Sequence, residues 1–89
     1  MANTIKETRR TRFQFLQKLY DITEARESIF VDLWVLGDEL EFSHSETGRI
    51  VDFLSRDGLI KSIARGRAIV ITHKGILAVE LALSNVTIK

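Results

Sequence analysis

The 89-residue sequence predicts an α+β fold, mainly α with a small β-hairpin: a three-helix core, the hairpin, and a C-terminal helix. Three observations lead there. Apolar residues recur at helical spacing in several stretches, and the chain contains no proline to interrupt them. Ser43, Glu46 and Gly58 punctuate one of those stretches with a cap and a stop. Two β-favouring runs then flank Arg65-Gly66-Arg67, a turn between strands. At this length and 45% hydrophobic content, residues 1–89 make one domain with a true core and little stability to spare.

The first helix is expected over residues 6–26, with Phe13, Leu16, Leu19, Tyr20 and Ile22 near helical spacing and Arg9, Arg10, Arg12 and Lys18 on other faces. Ser28-Ile29-Phe30-Val31 is a brief β-favouring connection. Asp32 is placed to N-cap a short second helix over residues 33–41, whose inner face carries Leu33, Leu36 and Leu40. Ser43 and Glu46 form an S-x-x-E capping box, each side chain satisfying a backbone donor at the start of the third helix. Thr47, Ile50, Val51 and Leu54 build that helix's apolar face, and Gly58 supplies the left-handed residue that ends it. Strands follow over residues 59–64 and 68–72. Thr72 caps the last helix, over residues 73–84, which continues through GILAVELAL.

Composition narrows the function classes. Cysteine is absent, which excludes a disulfide framework, a thiolate metal site and a cysteine nucleophile. No apolar run reaches membrane-span length and MANTIKETRR lacks a signal-peptide core, so the expectation is a cytoplasmic protein. His44 and His73 have no ligand-like spacing, and neither a phosphate-cradling glycine loop nor a nucleophile elbow occurs. The expectation is a non-enzyme with no cofactor and no metal; no pattern identifies a small-molecule effector.

The net charge of +1 conceals a strong asymmetry. Residues 1–20 carry five basic and one acidic side chain, residues 21–57 three basic and ten acidic, and residues 58–89 five basic and one acidic. The helix pair over residues 32–58 thus lies in a block of −7 between two flanks of +4.

The segment LGDELEFSHSETGRIVDFLSRDGLI resembles the helix-turn-helix of winged-helix transcription regulators, including the MarR type. Gly37 follows Leu36 where that family has a small residue, Ser43 opens the recognition helix, and Leu54, Gly58, Leu59 and Ile60 match an L-x-x-x-G-L-I ending. The ITHKG that follows resembles the T-x-K-G step into the next helix. The resemblance covers about half the chain. One departure is Glu41, where the inter-helix turn often has glycine; a side chain there disfavours positive φ and predicts a turn one residue longer or differently shaped.

The resemblance implies a sequence-specific binder of double-stranded DNA, with a recognition helix over 44–57 in the major groove and a wing over 61–68 on the backbone or minor groove. Arg49 is then the candidate for direct readout, since a guanidinium pairs bidentately with guanine O6 and N7. The competing expectation is a solvated face with Arg49 paired to Glu46 or Asp52. His44 and Ser45 stand near the helix start, where phosphate or a base edge approaches. Gly48 costs about 1 kcal/mol relative to alanine in a helix, which favours close approach of DNA; the alternative, close approach of a neighbouring helix, better explains Gly37. Lys61, Arg65, Gly66 and Arg67 form a cationic wing with no acid nearby in sequence, able to clasp phosphates. Arg9, Arg10 and Arg12 are further candidate phosphate contacts, or an acid-paired face.

From Ile76 to Leu83 only Glu80 is polar. Leu77, Val79, Leu81 and Leu83 are therefore the candidate homodimer interface, the alternative being packing on the first helix. Trp34, Phe30, Phe42 and Phe53 are expected in the core or an interface. The rival function is a winged helix used as a protein-interaction module, through its acidic helix pair or its apolar last helix.

Overall fold

A computed structural model describes residues 5–63 and 67–87. Among these residues, four helices and a small antiparallel sheet follow in the order α1 (Ile5–Thr23), β1 (Val31–Asp32), α2 (Leu33–Glu39), α3 (His44–Arg56), β2 (Ile60–Ile63), β3 (Ala68–Ile71) and α4 (His73–Thr87). The predicted α+β class holds, with one strand more than expected. β1 lies where the sequence predicts a connection, and it pairs with β3 through Val31↔Ile69 and Asp32↔Ala68, giving the order β1-β3-β2.

α1 buries Phe15, Leu16 and Leu19 against Leu36, Ile50, Leu54, Ile69, Ile71 and Val79 in one core. Fully burying such a side chain stabilises the fold by about 1.5–3 kcal/mol. Two expectations for α1 need correction. Phe15, outside the predicted stripe, is fully buried, whereas Ile22 is 45% exposed. In the last turn Thr23 takes the inward position and its hydroxyl donates to the Leu19 carbonyl at 2.8 Å. The helix also ends at Thr23, three residues short of residue 26, because Glu24 adopts φ 55° and Ala25 φ 61°.

The same closure ends three helices. At α1 the amides of Glu24 and Ala25 donate to the carbonyls of Asp21 and Tyr20; at α2 those of Glu41 and Phe42 donate to Asp38 and Gly37; at α3 those of Gly58 and Leu59 donate to Ser55 and Leu54. Each is a Schellman closure built on a left-handed residue, Glu24, Glu41 or Gly58 in turn. α2 consequently stops at Glu39, not residue 41. Glu41 has φ 64°, so the inter-helix turn keeps the left-handed geometry that a glycine would favour, contrary to the altered turn predicted from its side chain.

The Asp32 carboxylate caps α2 by accepting from the Trp34 and Val35 amides, and Ser43 Oγ caps α3 by accepting from the Glu46 amide at 3.1 Å. Among the described residues Glu46 makes no return bond, so only the serine half of the predicted box forms. α2 and α3 approach closely at Gly37: a Cβ there would collide with Thr47 Oγ1. Thr72 caps α4 by accepting from the Gly75 amide, as predicted, and its own hydroxyl donates to the Gly58 carbonyl at 2.6 Å. Lys74 Nζ donates to the Asp57 carbonyl, which fastens the start of α4 to the end of α3. α4 runs three residues past its predicted end and lies on α1, where Tyr20 donates to Glu80 at 2.9 Å.

Candidate nucleic-acid interface

α3 buries Thr47, Ile50, Val51 and Leu54, which leaves its opposite face to solvent. On that face Arg49 Nη1 donates to Ser45 Oγ at 3.1 Å. Neither Glu46 nor Asp52, the acids expected as competing partners, holds it; Asp52 pairs with Arg56 at 2.9 Å. Ser45, Arg49, Phe53 and Arg56 fall at helical spacing along one ridge. Arg12 of α1 joins them, its guanidinium 3.5 Å from the Phe53 ring centroid. This cation–π contact between separate elements links the basic N-terminal flank to α3 and had no signal in local sequence.

His44 is engaged within the turn. Its ring lies 4.8 Å from that of Trp34, and Nε2 sits 3.7 Å from Asp38. Trp34 itself is half-buried on α2. The His44 side chain therefore braces α2 against the start of α3.

The wing candidates divide. Lys61 on β2 is exposed and, among the described residues, without a charge partner. Arg67 does have an acid, contrary to the local sequence: its Nε donates to Asp32 Oδ2 at 2.9 Å, while its carbonyl accepts from the Leu33 amide at 3.0 Å. Arg65 and Gly66 lie outside the described residues. The Arg67 guanidinium, followed by backbone bonds from Val35 and Trp34, holds the Asp32 carboxyl below its ordinary value.

Gly48 faces open space, since a Cβ there would meet nothing within 4 Å. Close approach of a neighbouring helix, the structural explanation for a glycine, applies to Gly37 and not here. Gly48 opens instead onto a groove of about 440 Å³ between α3 and β2. Val51, Asp52 and Ser55 continue the α3 wall, Ile60, Lys61 and Ser62 form the β2 wall, and Leu33 and Trp34 close one end.

Four of the ten acids in the block over residues 21–57 have an arginine or lysine beside them. Glu24, Asp32, Glu39 and Asp52 lie within 3.6 Å of Arg26, Arg67, Lys18 and Arg56, and Glu27 and Asp38 lie beside His73 and His44. These are exposed pairs, each worth little to stability; the four with arginine or lysine cancel charge locally, and the two with histidine do so only when the imidazole is protonated. On α4, Val79 is fully buried and so is not free for a partner as predicted, while Leu83 packs half-buried against the core. Leu77 and Leu81 remain 50% and 65% exposed. Among the described residues, no three metal-ligating side chains cluster and no helix is long and apolar enough to cross a membrane.

Comparisons with protein families, with curated proteins and with solved structures find no match to this chain.

Proposed function

We propose that this chain is a winged-helix module that binds double-stranded DNA, with α3 as its recognition helix and β2–β3 as its wing. The observation that carries the proposal is Arg49. It stands on the solvent face of α3 and, among the described residues, is held by the neutral Ser45 hydroxyl and by no carboxylate, which leaves it available to guanine or phosphate. Arg12 and Lys61 extend the cationic surface to either side. Lys18 and Arg67, which lie outside the acidic block, pair with its Glu39 and Asp32 and offset two of its seven net negative charges.

Fluorescence anisotropy on mixed duplex DNA across a salt series tests this. Affinity should fall steeply with salt, and Lys61→Ala should reduce the logarithmic salt slope by about 1. Arg49→Ala should relax sequence preference, with a loss of about 1–3 kcal/mol on the preferred site. Absence of binding at low salt would sink the proposal and leave the rival, a protein-interaction module.

The exposed Leu77 and Leu81, one turn apart on α4, favour self-association of the same module. A twofold dimer would suit a palindromic site. Light scattering should return twice the chain mass, and Leu77→Glu with Leu81→Glu should return a monomer.

A further inference from the structure

The α3–β2 groove lies on an open edge of the sheet. In the order β1-β3-β2, no strand among the described residues flanks β2 on its outer side. Thr72 donates to the Leu59 carbonyl, which fixes the alternation of the antiparallel ladder. Lys61 and Ile63 then bond to β3, and Ile60 and Ser62 turn their amides and carbonyls outward. The same two residues line the groove, which faces them with the α3 stripe Gly48, Val51, Asp52 and Ser55. A free strand edge beside an apolar-floored groove has the makings of a strand-addition site.

Two further features suit an added chain. Gly48 leaves room on the helical wall at a cost in helix propensity that no contact within the described fold requires. The Ser55 hydroxyl is shut off from solvent and, among the described residues, has no hydrogen-bond partner. The charge of the groove also has a sign. Its acid, Asp52, is neutralised by Arg56 at 2.9 Å, while Lys61 has no charge partner among the described residues.

We propose that this groove binds an extended, carboxylate-bearing peptide segment, which pairs with the Ile60 and Ser62 backbone as a fourth strand. A carboxylate of the peptide meets Lys61, and an apolar side chain enters beside Gly48 and Val51. Ser55 gains a partner from the bound chain by a change of rotamer. The proposal is independent of DNA binding, although the peptide and DNA would compete for Lys61.

The test titrates the full 89-residue chain, labelled for amide NMR, with acetylated and amidated hexapeptides alternating valine and glutamate. Saturation should slow hydrogen exchange at Ile60 and Ser62 and shift the amides of Gly48, Asp52 and Ser55. Replacing glutamate by lysine in the peptide should weaken binding by roughly tenfold, and Lys61→Glu should reverse that preference. Gly48→Phe should block binding by filling the groove. A peptide N-methylated at every residue, which has no strand N–H left to donate, should not bind. Unchanged exchange at Ile60 and Ser62 at saturation would overturn the proposal. So would equal binding of the N-methylated peptide, or protection of this edge by duplex DNA and not by peptide.

Discussion

Asp32 holds Arg67 at 2.9 Å across a separation of 35 positions, and with its other carboxylate oxygen caps the first turn of α2. One side chain thereby joins the start of β3 to the start of the helix pair. An arginine that looks like a wing contact in the sequence is a brace at the base of the wing.

Substitutions should separate the two roles of Asp32. Asn retains capping ability and loses the charge, whereas Ala loses both. Thermal melts should rank the wild type above Asp32→Asn and that above Asp32→Ala. Arg67→Ala should lower the melting temperature while leaving the salt slope of DNA binding nearly unchanged. A large drop in that slope would return Arg67 to the set of phosphate contacts.

The same pair sets an acid limit. The Asp32 carboxyl titrates below its ordinary 3.8, mainly because Arg67 binds the charged form. The native state thus binds this proton more weakly than the unfolded chain does. The stabilisation is complete above 3.8 and is lost as pH falls through the lowered native value. NMR titration should place the midpoint below 3.8, and Arg67→Ala should move it upward. At the other extreme, the hydrogen bond to Glu80 raises Tyr20 above 10.0, so its contribution is complete below 10.0 and fades as pH rises through the raised value.

The two helical glycines should respond oppositely. Gly37→Ala drives a Cβ into the buried Thr47 side chain and should destabilise by about 1–3 kcal/mol. Gly48→Ala meets nothing and should stabilise by up to about 1 kcal/mol. Urea denaturation measures both, and Thr47→Ala should relieve part of the Gly37→Ala loss.

Glu41 offers a third stability test. A left-handed residue with a side chain costs more than glycine, so Glu41→Gly should stabilise by about 1 kcal/mol. An unchanged denaturation midpoint would show that neighbouring contacts already compensate.

What was legible in the sequence was local chemistry. Asp32, Ser43, Thr72 and Gly58 declare themselves because a cap or stop depends on one side chain and the adjacent backbone. The apolar face of α3 follows for the same reason: its four inward residues obey one period. β1 was not legible, because two residues carry no periodicity and pair only once β3 lies beside them. The ends of α1 and α2 were missed because glutamate does not announce a left-handed turn. At the candidate interface, Arg49 and Lys61 could be placed from helix and strand phase. The partners of Arg67 and Arg12 could not, since both come from distant elements.

The three helix closures also imply an order of assembly. Gly58 adopts its turn without help, and Ser43 caps the opposite end of the same helix, so both ends of α3 are set by local chemistry. Glu24 and Glu41 have no such preference, and the ends of α1 and α2 await tertiary packing. Folding kinetics should therefore give φ-values nearer 1 for Ser43→Ala than for Glu41→Gly. The helix proposed to meet DNA would be among the first elements to form, and the turn that aims it among the last.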